Sequence, residues 1–155
     1  MLIYIIFSFI LLYFLCSLSN EDLKTMLISE IKLRMFAASG ILYLLFLGIN
    51  NEEVSSIDLI INNLFSALII FLIMYSIKYL SYQLIQINSL GLGDIKLCSY
   101  SSIWLGVEYS FISICISFIL SAIYTLHGKA TKRFKTFHQY PFAPFLSIGI
   151  FFSWL

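Results

Sequence analysis

Three aspartates are the residues of this chain best able to do chemistry: Asp22, Asp58 and Asp94. Two carboxyl groups held close together cannot both ionise easily, so they share one proton. The ionised partner can then take a proton from water while the protonated partner polarises a carbonyl group. Asp22 and Asp94 are the candidate pair, because the distribution of basic residues predicts that both lie on the same side of a membrane. The alternative is that both lie in solvated loops, with Asp94 capping the helix that follows.

Two glycines directly precede the second aspartate of this pair, in Gly91-Leu92-Gly93-Asp94. Glycine permits unusual backbone angles and lets another backbone approach closely. An extended peptide substrate could therefore lie against Gly91 and Gly93, which would form an active-site turn. A simple turn before a helix is the alternative.

The composition restricts what can carry this chemistry. Of the 155 residues, 61% are hydrophobic and 11% are charged, whereas about 25% are charged in a soluble domain. Too little polar surface is available to cover a water-soluble globule, and intrinsic disorder is excluded by the hydrophobicity. A net charge of +1 argues against nucleic-acid binding. The composition predicts an all-α, multi-pass protein of the lipid bilayer, with residues 1–155 forming one domain.

The apolar runs predict six transmembrane helices. One run of 30 residues, 97–126, would be about 45 Å long as a single helix, whereas the hydrocarbon core is about 30 Å thick. It is therefore predicted to turn at Leu105-Gly106-Val107-Glu108. The first run has no basic start and no cleavage site of small residues, so it is predicted to be retained as a helix. The predicted spans are 2–18, 35–49, 57–79, 97–105, 109–126 and 141–155.

The basic residues support six spans rather than five. With six, every Lys and Arg lies on one side of the membrane, while Glu52, Glu53 and Glu108 lie on the other. The positive-inside rule makes the basic side cytoplasmic. Asp22 and Asp94 then face the cytoplasm, and Asp58 lies at the opposite surface. The nine basic residues are Lys24, Lys32, Arg34, Lys78, Lys96, Lys129, Lys132, Arg133 and Lys135.

Three segments together resemble the type IV prepilin leader peptidases, a family of membrane aspartic proteases. The segment Gly91-Leu92-Gly93-Asp94-Ile95-Lys96-Leu97 is similar to the family signature GxGDxKL. Asp22-Leu23-Lys24-Thr25 resembles the segment around the first catalytic aspartate, with Ser29 in place of a later proline. Pro141-Phe142-Ala143-Pro144-Phe145 resembles Pro-Phe-Gly-Pro-Phe, with Ala143 in place of glycine.

This resemblance implies that Asp22 and Asp94 are the catalytic dyad. Such enzymes cut the short basic leader from prepilins and pseudopilins at the cytoplasmic face of the bacterial inner membrane, without a metal or organic cofactor. Lys24 and Lys96 each follow an aspartate by two positions and could support the dyad or contact substrate. They could equally be anchors at the cytoplasmic surface. Longer family members carry paired-cysteine motifs and also N-methylate their product. This sequence contains no such cysteine pair, so it is predicted to be a peptidase only.

No metal site is predicted from the remaining candidate ligands. Cys16, Cys98 and Cys115 stand singly, and His127 and His138 lie eleven positions apart. Two alternatives to an active peptidase remain: an inactive family member, and a non-enzymatic membrane subunit or transporter component using the aspartates as ion or proton sites. A proton relay should have carboxylates staggered across the bilayer, whereas these two share one face.

Overall fold

The computed structural model describes residues 2–50, 55–86, 90–131 and 140–155. These residues form five helices and no strand, which confirms the all-α prediction. Four helices are long and apolar enough to cross a membrane, and the fifth is a shorter apolar helix. The predicted count of six spans is therefore not supported. The helices are α1 (Leu2–Thr25), α2 (Glu30–Asn50), α3 (Ser56–Ile85), α4 (Leu92–Ala130) and α5 (Ala143–Trp154).

The difference in count arises within α4, which holds both predicted spans on either side of the predicted turn. Gly106 interrupts it with φ 75° and ψ −178°, at the place where the turn was expected. The chain is helical on both sides of this single residue, so the two predicted spans form one interrupted element. Its halves have different partners: Asn63 of α3 donates to the Ile103 carbonyl at 3.0 Å, whereas Ser121 bonds Tyr140, just before α5, at 2.8 Å.

The helices extend beyond the apolar runs at the end of the bundle that holds Asp22 and Asp94. The predicted polar segment between the first two spans, residues 19–34, is helical except at 26–29. Helix α1 ends where Met26 adopts a left-handed backbone with φ 53°. Polar residues continue a helix as readily as apolar ones, because the hydrogen bonds are between backbone groups. Predictions about Glu52, Glu53, Lys132, Arg133, Lys135 and His138 concern positions outside the described residues.

Aromatic side chains fill the other end of the bundle. Trp104 stacks on Phe36 and Tyr43, with ring centroids 5.7 Å apart in both pairs, and donates its indole N–H to the Phe36 carbonyl at 3.1 Å. A Cβ atom on Gly40 would lie 2.7 Å from the indole nitrogen, so glycine is required for this close approach. The outward faces of the helices remain apolar, with Phe9 and Phe152 both exposed. This surface suits the bilayer, where apolar side chains need no shielding from water.

Candidate active site

Asp22 lies in the last turn of α1 and is buried, with only 5% of its surface exposed. Its Oδ2 accepts a hydrogen bond of 2.9 Å from the backbone N–H of Ala143, the first residue of α5. Residues near the two ends of the chain therefore meet at Asp22.

Asp94 is the third residue of α4 rather than part of the polar connection predicted between the spans 57–79 and 97–105, so this prediction was wrong at its C-terminal end. The residue before this helix is Gly91, and a Cβ atom there would lie 3.0 Å from Oδ2 of Asp94. Gly91 thus allows the carboxyl group to fold back over the helix start. The other oxygen, Oδ1, is buried and has no hydrogen-bond partner among the residues that the structure describes.

The fold brings these two aspartates together although they are far apart in sequence. They lie close enough for the charge on Asp22 to act on the Asp94 carboxyl group. The turn after α1 also touches the glycine-rich segment, because a Cβ atom on Gly93 would lie 3.2 Å from the side chain of Ile28. The small residue at position 93 therefore lets the start of α4 pack directly under that turn.

A third carboxylate, Glu21, holds the turn over residues 26–29 in place. Its Oε2 accepts the Ser29 backbone N–H at 3.4 Å and pairs with Lys32 at 3.2 Å. A proline at position 29, the residue expected from the resemblance, would have no N–H to donate. Serine at this position therefore preserves a backbone bond that stabilises the connection between α1 and α2.

The two predicted supporting lysines differ in their surroundings. Lys96 forms an ion pair with Glu30, the first residue of α2, and Glu30 also pairs with Arg34 at 3.2 Å. Lys96 thus links the start of α4 to the start of α2. Lys24 is exposed. A contact of either lysine with substrate stays a prediction.

Metal-ligating side chains do not cluster at this site. Within the described ranges, no three His, Cys, Asp or Glu residues are placed to hold a metal ion. Cys98 is buried one helical turn beyond Asp94, whereas Cys16 and Cys115 are exposed. The site that the described residues form consists of two carboxyl groups, two glycines and the backbone at the start of α5.

A model of the type IV leader peptidase family matches residues 9–126 of the chain. The chain belongs to this family. The match includes both aspartates and the glycine-rich segment, and it ends before α5, so Ala143 lies outside the matched residues. Comparisons with curated proteins and with solved structures gave no match. Together with its four long apolar helices, membership in this peptidase family describes a multi-pass membrane protein.

Sequence reasoning missed three contributions to the candidate site. The Ala143 backbone N–H was not connected to Asp22, although its segment was noted as similar to the family. The carboxylates of Glu21 and Glu30 were not singled out, although each forms ion pairs at the helix starts. The four-residue spacing of Glu30 and Arg34 was the one available signal for these ion pairs.

Proposed function

We propose that this protein is an aspartic endopeptidase that removes the short basic leader from type IV prepilins or pseudopilins. The observation that carries the proposal is that the turn after Asp22 packs against the glycine-rich segment before Asp94, within a chain of the leader peptidase family. Both carboxyl groups are at one end of the bundle, shielded by helix ends and by the turn over residues 26–29. Dyad catalysis requires at least two carboxyl groups that are shielded from water and interact electrostatically, so that they share one proton.

In the proposed reaction, the ionised aspartate takes a proton from a water molecule as the water oxygen adds to the scissile carbonyl carbon. The protonated aspartate gives its proton to the carbonyl oxygen, and a neutral diol forms. Collapse of the diol transfers a proton to the leaving nitrogen and breaks the C–N bond. One water is consumed, a carboxylic acid and an amine leave, and the dyad again holds one proton. Oδ1 of Asp94 has no partner among the described residues, and it offers a place where a carbonyl group or water completes the hydrogen bonding.

The proposed enzyme is a single domain that crosses the bacterial inner membrane six times, with its dyad at the cytoplasmic face. The break at Gly106 and the different partners of the two halves of α4 support an extra reversal of the chain. Lys24, Lys32 and Lys96 accompany the aspartates at one end of the bundle, whereas Asp58 begins α3 at the other. This charge asymmetry favours a cytoplasmic dyad.

This location suits a substrate whose own helix stays in the bilayer. The basic leader of a prepilin lies on the cytoplasmic side, so the bond to be cut is held near the interface, at the depth proposed for the dyad. The reaction is proposed to need no metal or organic cofactor. Without the paired-cysteine segment of longer relatives, the protein is proposed to cleave without methylating the new N-terminus.

The test is co-expression with a panel of prepilins in cells that lack their own leader peptidase, with processing followed by mobility on immunoblots. We expect processing by the wild type and none by Asp22→Ala or Asp94→Ala. The matched control is Asp58→Ala, which removes an exposed carboxylate at the other end of the bundle and should process normally.

Processing that survives loss of Asp22 or Asp94 would refute the dyad. If the wild type is present in the membrane and processes no member of the panel, the inactive or non-enzymatic alternatives are favoured instead.

A further inference from the structure

A ladder of hydrogen bonds fixes the position of α5 along α1. The α1 residues that take part lie three, four or seven positions apart, so they share one face of the helix. The bonds run the full length of α5, and the last one reaches the candidate dyad. They join Tyr4 Oη to the Trp154 carbonyl (2.6 Å), Trp154 Nε1 to Ser8 Oγ (2.7 Å), Ser147 Oγ to the Leu15 carbonyl (3.2 Å), Ser19 Oγ to Ser147 Oγ (2.7 Å) and Ala143 N to Asp22 Oδ2 (2.9 Å).

The first turn of α5 leaves one backbone N–H directed at this carboxyl group. The first N–H groups of a helix have no acceptor within the helix itself. Pro144 has no N–H, and those of Phe145 and Leu146 bond the Phe142 carbonyl at 3.1 and 3.2 Å. Ala143 N–H therefore depends on Asp22 for its partner. The start of a helix also carries partial positive charge, which favours a carboxylate there.

We propose that the Ala143 backbone N–H is a positioning group that fixes the orientation of the Asp22 carboxyl group for catalysis. This inference rests on the proposed function, because it concerns how that dyad is held. Ala143 is fully buried, and Ser147 bonds α1 one turn further along α5, so the donor is held in register with its acceptor. The segment from Pro141 to Phe145 would then serve the dyad directly, although it is nearly 50 positions from Asp94.

The contact can be tested without any cleavage activity, by amide hydrogen exchange in the full-length protein. Labelling alanine with ¹⁵N and phenylalanine with ¹³C at the carbonyl selects the Phe–Ala pairs, of which there are two, ending at Ala37 and Ala143. Asp22→Ala should speed amide exchange at Ala143 by roughly 10- to 100-fold, because the amide loses a hydrogen bond to a charged group and such a bond slows exchange by about this factor. Exchange at Ala37, inside α2, is the internal reference, and Asp94→Ala is the matched control. Equal exchange at Ala143 in wild type and Asp22→Ala would overturn the inference.

The catalytic consequence is tested by removing the donor alone. Replacing Ala143 by lactic acid turns its amide into an ester and keeps the side chain. The control is the same amide-to-ester replacement at Leu146, which removes a backbone hydrogen bond in the same turn of the helix. With purified enzyme and a prepilin, the ester at 143 should lower kcat roughly 10- to 100-fold and leave KM within about twofold. The ester at 146 should lower thermal stability similarly without this loss of kcat.

The outcomes separate this inference from the proposed function. Wild-type cleavage with equal kcat for both esters would overturn the positioning role and leave the peptidase intact. Absence of wild-type cleavage would refute the peptidase, and the exchange measurement would still decide whether Ala143 holds Asp22.

Discussion

Gly106→Ala is predicted to lower the free energy of unfolding by about 1–3 kcal/mol, because only glycine adopts this backbone conformation readily. Gly106 has φ 75° and ψ −178°. A Cβ atom there would meet only Oδ1 of Asn63, at 3.8 Å, which is an ordinary contact. Crowding therefore adds nothing, and the whole cost comes from the backbone. Relaxation to a straight helix would not recover this cost, since the two halves of α4 pack on different partners.

Thermal unfolding of the detergent-solubilised protein, followed by circular dichroism, measures this effect. For a chain of this size, each kcal/mol lowers Tm by roughly 2–4 °C, so a decrease of roughly 2–12 °C is expected. Glu108→Ala is the matched control, because Glu108 is exposed two residues away in a helical backbone. Its effect should stay within about 0.5 kcal/mol.

A Gly106→Ala protein as stable as Glu108→Ala would refute the reasoning. Residue 106 would then have an ordinary helical backbone. The proposed reversal within α4, on which the proposed six crossings depend, would lose its support.

Three further predictions concern packing and the ion pairs. Gly149→Ala should cost about 1–3 kcal/mol in thermal unfolding, because its Cβ would overlap the Ser113 carbonyl and force α4 and α5 apart; an unchanged Tm would contradict this. Lys96→Met should change stability by less than about 1 kcal/mol, since its partner Glu30 is exposed, and should retain prepilin cleavage; lost cleavage would instead indicate substrate contact. Trp104→Phe should cost about 0.5–1.5 kcal/mol, because the Phe36 carbonyl of α2 loses its indole donor but still accepts from Ser39, and a denaturation midpoint equal to wild type would count against it.

The helical class and the break at Gly106 were predictable, because the first follows from the hydrophobicity of the chain and the second from the length of one apolar run. The hydrophobicity indicates a bilayer, where backbone bonds must be satisfied internally, and long continuous apolar runs achieve this as helices. The apolar run over residues 97–126 is too long for one crossing, and Gly106 is the residue within it where an interruption was expected and is found. Charge placed Asp22 and Asp94 on one face, and they do lie at one end of the bundle, but their catalytic role stays a prediction.

The helix ends and the finer contacts of the site could not be predicted in the same way. Where α1 stops depends on Met26 and on backbone bonding, which hydrophobicity does not report. The partner of Lys96 is Glu30, on a different helix, so no local spacing indicates the pair. The donor to Asp22 is a backbone group of Ala143, and its side chain gives no sign of that role.

Helix α1 carries Asp22 past the apolar run of that helix. At about 1.5 Å per residue, Asp22 lies about 6 Å beyond Leu18, where the run ends. The residues between them, Ser19, Asn20 and Glu21, are polar and suit the headgroup region and its water better than hydrocarbon. A hydrolytic reaction at Asp22 would then draw its water directly from the membrane surface.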